Sequence, residues 1–391
     1  MSMYIGRKGP VMRVLHIMSG YGGGISTFIH NIASSIQAYG ILFDVVTYDE
    51  VPESFRQVIQ VTGGDVYQLN NPKKHGWRSF KASFTRVMDL YQYDLVHCHI
   101  AGYRAYIYKQ LAQAKGIQRF VVHAHYSVNE SQLHPLERLR HQIDQQVNRY
   151  VSDAYIGCSR MAIKSLYGYA IPNQQMMVIP NSIDPDEYLL DAATFQAKRD
   201  TFRQNHGLTD DDFVIGQIGR LAPGKNHRLT LEVASHARLQ GLAGRFFIAG
   251  AGALEADLQQ EIRSRSLEGR VVMLGRVSPI ADFFPALDCL IFPSKSEGLG
   301  TVAIESQAAG IPVVMSNTIP READLGLGLV KRTPLTADAE TLYKALKEAK
   351  QRNIPSVDQR MEALEKHNYT NDEAARLYTL YLREALPSAM K

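Results

Sequence analysis

The feature that most constrains the fold is a repeated alternation of short β-rich runs with longer amphipathic stretches, which begins at Met12. Such alternation is typical of a parallel sheet whose crossover helices cover its faces. The first series contains the runs VLHIM, FDVVTY, DVYQL, LVHCHI, RFVVHAH, AYIGC and MMVIP. The second contains FVIGQIG, RFFIAG, VVMLG, CLIFPS and PVVMS. The two series therefore predict an α/β fold with two parallel sheets.

Length and spacing divide the protein into two domains. Its 391 residues exceed one ordinary domain and allow two, each with its own core. We predict an N-terminal parallel-sheet domain over 12–190, a C-terminal one over 191–370, and a helix within 371–391 that packs back across the domains. Two such domains that face each other leave a cleft at the C-terminal ends of their strands, where open sheets bind ligands.

Composition predicts a folded protein that stays inside the cell. Hydrophobic residues make up 45% and charged residues 21% of the chain, which is typical of globular domains rather than of disordered or fibrous chains. The three cysteines stand far apart without a CxxC pair, so we predict neither a disulfide framework nor a zinc knuckle. No run approaches the ~20 apolar residues of a membrane-spanning helix. The start, MSMYIGRKGPV, lacks the apolar core of a signal peptide, so we expect a cytoplasmic protein and give residues 1–11 no function.

Positive charge is concentrated in the first half. The formal net charge is +4, and nine basic residues against two acidic ones fall within 73–119. In this segment, apolar residues from Trp77 to Tyr91 recur at helical spacing with basic side chains beside them. A basic amphipathic helix of this kind can lie on an anionic membrane surface, although such helices more often pack on their own sheet. The stretch around Trp77 is therefore our candidate for peripheral contact with the inner face of the plasma membrane, and we predict no nucleic-acid partner.

The segment 293–309 carries most of the chemistry. After the strand-like run CLIFP, the sequence continues to Glu297, through a glycine loop over 298–301, and into a helix that contains Glu305. The unpaired amides at a helix start bind anions, and glycine lets the main chain approach a ligand closely. Ionised glutamate only accepts hydrogen bonds, so acids on both sides of the loop suit sugar and ribose hydroxyls rather than phosphate. The combination predicts a nucleotide-sugar site, although a single glutamate is more often a solvated turn or helix residue.

The whole stretch, PSKSEGLGTVAIESQAAGIPVV, resembles the Glu, seven residues, Glu motif of glycosyltransferase family 4. Members of that family have the GT-B fold, in which two Rossmann-like domains face each other across a cleft. The resemblance implies that Glu297 holds the donor sugar and that Glu305 holds the ribose. It also implies that the main-chain amides of the loop contact the sugar and the phosphates. These loop residues are Gly298, Leu299, Gly300 and Thr301.

Two further elements of the second half resemble the same family. The run FVIGQIG leads into Arg220 and Lys225, as in the family's G-R-x-x-x-x-K-N element. Cations on one loop stabilise the charge that builds on the β-phosphate as a nucleoside diphosphate departs, without a metal. The alternative is that Arg220 pairs with a structural carboxylate and Lys225 is solvated. The stretch RFFIAGAGALEADLQQEI resembles the family's strand, G-x-G, helix element, which implies that Gly250 and Gly252 lie near the nucleotide.

In the first half, VLHIMSGYGGGISTFIHNIA places four glycines between a strand and a helix. One interpretation is a dinucleotide fingerprint with Asp44 or Asp49 as the ribose partner. The glycine spacing is imperfect for that motif, and the stretch resembles the glycosyltransferase G-G-I-E-T-F-I loop more closely, with Ser26 where an acid is common. The second resemblance implies that Gly23 and Gly24 approach the donor phosphate and the acceptor.

Two histidine pairs, His97 with His99 and His123 with His125, end two strand-like runs. Imidazoles are common zinc ligands, so a metal cluster is one interpretation. Hydrolytic metal sites usually include an aspartate as well, and no carboxylate adjoins either pair. By resemblance, His125 matches the family histidine that faces the donor sugar, while His97 and His123 are core residues. We therefore predict no metal.

These residues and the resemblance together predict a retaining, metal-independent glycosyltransferase that moves a sugar from a nucleoside diphosphate, expected to be UDP, to an acceptor hydroxyl. No cofactor is expected besides the donor substrate. The expected acceptor is a growing glycan or a lipid-linked sugar in exopolysaccharide or cell-envelope biosynthesis. The alternatives are a nucleotide-sugar epimerase, a non-catalytic nucleotide-sugar-binding subunit and, through the glycine loop at 20–24, an NAD-dependent oxidoreductase. The residues expected to act on the reaction are His125, Arg220, Lys225 and Glu297.

Overall fold

The computed structural model describes residues 11–128, 130 and 133–385. Its described strands form two sheets in which every pairing is parallel. The described chain separates into two compact units, one with the residues up to Ile183 and those from Asn368 onward, the other over Asp184–His367. The first boundary falls seven residues before the predicted 190, and the second lies close to the predicted 370.

The first unit contains a seven-stranded sheet in the order β3-β2-β1-β4-β5-β6-β7. Its strands are β1 Met12–Ile17, β2 Ile41–Thr47, β3 Val66–Gln68, β4 Leu95–Cys98, β5 Phe120–Ala124, β6 Tyr155–Gly157 and β7 Met176–Val178. Its helices are α1 Gly24–Ile36, α2 Glu53–Val61, α3 Pro72–Met88, α4 Tyr103–Gln113, α5 Pro135–Val151, α6 Arg160–Tyr167 and α14 Asn371–Ala385. Each strand-like run of the first series overlaps one of these strands, which confirms that part of the prediction.

The second unit contains a six-stranded sheet in the order β10-β9-β8-β11-β12-β13. Its strands are β8 Val214–Ile218, β9 Arg245–Ala249, β10 Val271–Gly275, β11 Cys289–Phe292, β12 Val313–Ser316 and β13 Val330–Thr333. Its helices are α7 Pro185–Tyr188, α8 Ala192–Asn205, α9 His227–Leu239, α10 Glu255–Ser264, α11 Thr301–Ala308, α12 Ala339–Lys350 and α13 Val357–Lys366. The edge strand β13 was not predicted, because its sequence VKRT is short and carries two charges.

Continuous apolar strands explain why helices cover both faces of each sheet. In β1 and β8 almost every side chain is buried, whereas a strand with one wet face alternates between apolar and polar residues. The first core also takes α14, whose Ala374, Tyr378 and Leu382 are fully buried. Helix α14 contacts α1 within this unit, and the small side chain of Ala374 allows close packing there. The C-terminal helix therefore belongs to the first sheet rather than to the second.

The basic segment around Trp77 forms α3, in which Gly76 has a non-helical backbone and interrupts the first turns. Phe80 and Phe84 are buried in the core of the first unit. Trp77 packs edge-on against Phe80 but stays 49% exposed, and the flanking lysines and Arg78 are exposed. The apolar face of α3 thus packs within its own unit, where Phe80 and Phe84 contact Tyr108 of α4. Across the described residues, no helix combines the length and the hydropathy that a membrane crossing requires.

Candidate functional site

The glycine loop at 298–301 joins β11 to α11 in the second unit. Gly300 caps the helix with a φ of 94°, a conformation that side chains other than glycine rarely adopt. A Cβ atom there would lie 2.9 Å from Cγ2 of Ile319, so the loop also packs too closely for a larger residue. Leu299 is buried and anchors the loop in the core. The arrangement brings a helix start to the carboxyl end of a strand, the usual place of ligand binding in open sheets.

An ion pair links this loop to the basic loop that follows β8. Lys225 Nζ lies 2.5 Å from Glu297 Oε1, and both side chains are partly buried. The same two loops share a main-chain hydrogen bond from Lys295 N to Gly224 O at 2.8 Å. Asn226 Nδ2 also donates to Pro293 O at 3.2 Å. Glu297, expected to hold a sugar hydroxyl, therefore contacts Lys225, expected to stabilise a phosphate. The alternative that Lys225 is solvated is wrong.

Arg220 occupies the start of the same basic loop. Its side chain is exposed and forms no ion pair with any residue that the structure describes. Its main-chain oxygen accepts from Ala222 N at 2.8 Å and lies 3.1 Å from His227 Nε2. His227 is buried, and burial lowers the pKa of its imidazole, so the neutral ring donates to the carbonyl and fixes the backbone of Arg220. The guanidinium is thus free for an anionic ligand while its main chain is held.

The two glycines after β9 have a packing reason that the sequence did not indicate. A Cβ atom on Gly250 would lie 1.9 Å from Gly219 O, and one on Gly252 would lie 2.5 Å from Leu221 O. Leu221 N donates to Ala251 O at 3.0 Å, which ties the two loops together. Gly250 and Gly252 therefore let the 250–252 turn support the backbone on both sides of Arg220. Their predicted contact with a nucleotide stays a prediction.

Glu305 lies in α11 and forms a hydrogen bond with the hydroxyl of Tyr188. Burial raises the pKa of Glu305 to about 7, the Tyr188 hydrogen bond lowers it, and the nearby Glu187 raises it. Tyr188 is buried and packs edge-on against Phe284. No sequence pattern indicated Tyr188, which lies in the four-residue helix α7, far from α11 in sequence. Glu305 is therefore a carboxyl group that changes charge near neutral pH.

The glycine loop of the first unit leads into α1, and Gly23 caps that helix with a φ of 92°. Ser26 Oγ accepts from Gly22 N at 3.1 Å and donates to Gly23 O at 2.9 Å. Ser26 thus closes the loop on itself at the position where an acid is common in the family. Gly24 lies beside Asn181, at an ordinary contact distance for an added Cβ atom.

The two aspartates considered for a ribose contact have structural partners. Asp44 is fully buried, pairs with Arg13 at 2.5 Å and accepts from Asp65 N at 2.8 Å. Asp49 Oδ2 accepts from Tyr21 N at 3.2 Å and so holds the glycine loop. Both carboxylates therefore stabilise the unit, which removes the main support for a dinucleotide fingerprint.

The predicted histidine pairs do come together on one face of the first sheet, and His16 of β1 joins them. Phe28 of α1 covers His97, His99, His123 and His125 with its ring edge. Burial lowers the pKa of all five imidazoles, to about 3 for His16 and His125 and well below the ordinary value for the others. The rings are therefore neutral at physiological pH.

This group contains two sets of three histidines in which each ring offers one nitrogen atom, and the three nitrogen atoms of a set lie within 4.8 Å of one another. The geometry of a three-histidine metal site is therefore present. The two sets are His16, His97, His99 and His99, His123, His125. Most of these nitrogens already form hydrogen bonds to one another or to Tyr378. The expectation that the protein uses no metal stays a prediction.

The fold defined by these two sheets is GT-B. Anabaena HepE, whose crystal structure was solved in complex with UDP-glucose, superimposes with a TM-score of 0.74 at 17% sequence identity. The match covers 95% of this chain and 100% of that one.

Sequence comparison then assigns the family. Residues 22–187 match the model of Glycosyltransferase Family 4, and residues 198–325 match that of Glycosyl transferases group 1. The chain therefore belongs to the glycosyltransferases of family 4, as its motifs predicted. It is 27% identical to the putative glycosyltransferase EpsF of Bacillus subtilis over 85% of this chain and 87% of EpsF. It is also 31% identical to an Escherichia coli UDP-Gal:alpha-D-GlcNAc-diphosphoundecaprenol alpha-1,3-galactosyltransferase, over 40% of each chain.

Proposed function

We propose that this glycosyltransferase moves a sugar from a UDP-sugar to an acceptor hydroxyl with retention of the anomeric configuration and without a metal. The observation that carries the proposal is the joining of the basic loop to the Glu297 loop by the Lys225 ion pair, beside the exposed Arg220. This arrangement places two cationic side chains, one of them held by Glu297, beside a helix start that also favours an anion. The UDP-glucose complex of HepE, which has the same fold, supports UDP as the nucleotide.

The proposed roles follow from the charges of the groups. Arg220 and Lys225 stabilise the negative charge that develops on the β-phosphate when the sugar leaves. Glu297, held in place by Lys225, accepts from a hydroxyl of the donor sugar, and Glu305 accepts from the ribose. The amides of 298–301 contact the phosphates, and the tight turn at Gly300 presets their direction. His125 of the first unit contacts the donor sugar.

Retention is proposed from the resemblance to family 4, whose members are retaining enzymes without a well-placed side-chain nucleophile. The departing phosphate then takes the proton of the acceptor hydroxyl on the face from which it leaves. The new glycosidic bond forms on that face as the bond to phosphate breaks, so no covalent enzyme intermediate is required. Arg220 and Lys225 would supply the charge stabilisation that a metal ion supplies in other transferases.

The proposed acceptor is a lipid-linked sugar or a growing glycan at the cytoplasmic face of the membrane. The name of the E. coli relative includes a diphosphoundecaprenol-linked sugar, which supports this class of acceptor. The exposed Trp77 and the exposed lysines of α3 support peripheral contact with anionic lipid.

One experiment tests the central proposal. Purified protein treated with EDTA is mixed with a panel of UDP- and GDP-sugars, and slow hydrolysis and transfer to an undecaprenol-diphosphate sugar are followed by NMR. The expected result is one preferred UDP-sugar, a product with the anomeric configuration of the donor, and loss of turnover in Glu297→Ala. An inverted product contradicts retention, and turnover only with added divalent metal contradicts metal independence. An epimerised donor would indicate an epimerase, and donor binding without turnover would indicate a binding subunit. In a thermal-shift measurement, a higher unfolding temperature with NAD but with no UDP-sugar would exclude the proposal.

A further inference from the structure

Four buried histidines, the half-buried His125 and Tyr378 form one unbranched set of hydrogen bonds in the first unit, here called the His–Tyr network. Its contacts are His125 Nε2 to His99 Nδ1 at 2.7 Å, His99 Nε2 to His16 Nδ1 at 3.0 Å, His16 Nε2 to the Tyr378 hydroxyl at 3.4 Å, that hydroxyl to His97 Nδ1 at 2.8 Å, and His97 Nε2 to His123 Nδ1 at 3.1 Å. The network ends at His125 Nδ1 and His123 Nε2. Both end atoms are buried and have no hydrogen-bond partner among the described residues.

The positions of these side chains follow from the sheet. Strands β1, β4 and β5 are neighbours, with His16 paired with His97, and alternate residues of a strand point to the same face. Tyr378 of α14 lies nearly parallel to the ring of His97 at 5.5 Å and joins the two halves of the network. Because α14 comes from the end of the sequence, the network requires the C-terminal helix to be docked.

Proton counting couples the tautomers of the network. A neutral imidazole has one N–H and one lone pair, and a phenol has one O–H, so the six groups supply six protons. Each of the five contacts needs one proton, which leaves one for the two ends. If that proton is on His125 Nδ1, all five histidines are Nδ1–H tautomers. If it is on His123 Nε2, all five are Nε2–H tautomers, and no mixed arrangement satisfies every contact.

We propose that the His–Tyr network transmits a single tautomeric choice between its ends, so that its other members decide whether His125 Nδ1 donates or accepts a hydrogen bond. Those members are positioning residues for His125. Conversion between the two states moves one proton in each contact, adds one at one end and releases one at the other. Solvent water or a ligand hydroxyl acts as the proton donor and acceptor, and the net charge does not change. Only the identity of that ligand, a hydroxyl of the donor sugar, rests on the proposed function.

A metal ion is the competing occupant of the same nitrogens. It would have to displace protons from contacts that are already made. Neutral imidazoles do bind zinc, so the charge state of these rings does not decide between the two occupants. The hydrogen-bonded network accounts for the observed distances without an ion, and the first test below separates the two.

The first test reads the tautomers directly. Protein labelled with ¹⁵N in its histidine rings is studied by long-range ¹H–¹⁵N NMR at neutral pH without ligand. The expected result is that His16, His97, His99, His123 and His125 are all neutral and all share one tautomer. Two or more tautomers among the five, or a charged imidazole, would overturn the proposal. Binding of one equivalent of Zn²⁺ that replaces these ring protons would overturn it as well.

The second test breaks the network at its centre. Tyr378→Phe removes the hydroxyl that joins His16 to His97, and Tyr381→Phe is the matched control because that buried hydroxyl has no partner among the described residues. We expect the ring nitrogens of His125 to shift in Tyr378→Phe and to stay unchanged in Tyr381→Phe. A folded Tyr378→Phe variant with unchanged His125 signals would contradict coupling.

Kinetics separate the network from the proposed function. With the preferred UDP-sugar, Tyr378→Phe should lower kcat/KM on the order of tenfold, the equivalent of about one hydrogen bond, while Tyr381→Phe keeps the wild-type value. Equal values for the two variants would argue against a positioning role. If the wild-type protein turns over no nucleotide sugar, the proposed function fails, and the ¹⁵N spectra alone decide whether the network exists.

Discussion

Lys225 Nζ and Glu297 Oε1 are 2.5 Å apart, although 72 residues separate them in sequence. This ion pair joins the loop after β8 to the loop after β11. We expect Lys225→Met to weaken UDP binding about 10- to 100-fold, because a charge-assisted contact to the phosphate is lost and Glu297 loses its ion pair with Lys225. Isothermal titration calorimetry with UDP measures the effect.

The matched comparison for this pair is Glu297→Gln, which keeps the size of the side chain and removes its charge. Since UDP alone has no donor sugar, this variant should bind UDP almost as well as the wild type and lose affinity for the UDP-sugar. Equal losses of UDP affinity in both variants would indicate that the ion pair acts only by holding the loops together.

Glu305 predicts a pH dependence of stability. Its pKa is raised to about 7 in the folded protein from 4.5 in the unfolded chain, so between these values the folded state binds the extra proton. The contribution of Glu305 to the free energy of unfolding therefore falls as pH rises through this window, by at most about 3 kcal/mol and by less for a partly exposed group. The buried histidines contribute with the opposite sign, so the effect of Glu305 is read from the difference between the wild type and Glu305→Gln. Glu305→Gln should unfold at a higher urea concentration than the wild type at pH 8 and at the same one near pH 4.5.

The control for Glu305 is Glu340→Gln, which changes an exposed glutamate in the first turn of α12. This substitution should leave the pH dependence of unfolding unchanged. A difference in unfolding free energy between the wild type and Glu305→Gln that stays constant from pH 4.5 to pH 8 would contradict a raised pKa of Glu305. If Glu305 holds the ribose, Glu305→Gln should also bind UDP more weakly at pH 8 despite its greater stability.

The strands were predictable because a parallel sheet buries continuous apolar runs, which stand out in sequence. Strand β13 does not have this property, since Lys331 and Arg332 occupy a half-buried edge. Motif spacing indicated Glu297, Glu305 and Lys225 one by one. The contacts among these residues depend on how loops from different strands pack together, and a local sequence pattern does not predict that packing.

The histidines also show that sequence patterns predict single residues but not their contacts. The two H-x-H pairs were visible at strand ends, but His16 looked like any residue of a buried strand. Tyr378 lies 281 residues after its partner His97, and only the docking of α14 brings the two together. Tyr188 likewise reaches Glu305 from a short helix without a sequence signal. Such partners are set by tertiary packing rather than by propensity or spacing.

Gly250 predicts a strong effect of a small substitution. Its φ of 155° is rare for other residues, and an added Cβ atom would lie 1.9 Å from Gly219 O. We expect Gly250→Ala to lower the free energy of unfolding by about 3 kcal/mol. Gly224→Ala is the control for stability, because an added Cβ atom there meets nothing within 4 Å. Urea unfolding of both variants measures the difference, and similar midpoints would contradict the close approach of the two loops.

Trp77 and its basic neighbours predict binding to anionic lipid. Trp77 is 49% exposed, and Lys73 and Lys74 are exposed on the same helix. Sedimentation with vesicles of phosphatidylglycerol should recover the wild-type protein, and Lys73→Glu with Lys74→Glu should reduce the bound fraction several-fold at low salt. Vesicles of phosphatidylcholine are the lipid control. Equal binding to both vesicle types, or none to either, would remove the membrane contact.

The buried histidines predict instability in acid. Burial lowers the pKa of His16 and His125 to about 3, below the 6.5 of an unfolded chain, so between these values only the unfolded state binds the protons. The contribution of these imidazoles to the free energy of unfolding therefore falls as pH drops below 6.5, by about 1.4 kcal/mol per pH unit for each of them. Urea unfolding between pH 4.5 and 7.5 measures the slope of the free energy of unfolding against pH. His16→Gln should reduce that slope by about 1.4 kcal/mol per pH unit, the contribution of one imidazole. His75→Gln, at an exposed position, should leave the slope unchanged. Equal slopes for His16→Gln and the wild type would contradict a lowered pKa of His16.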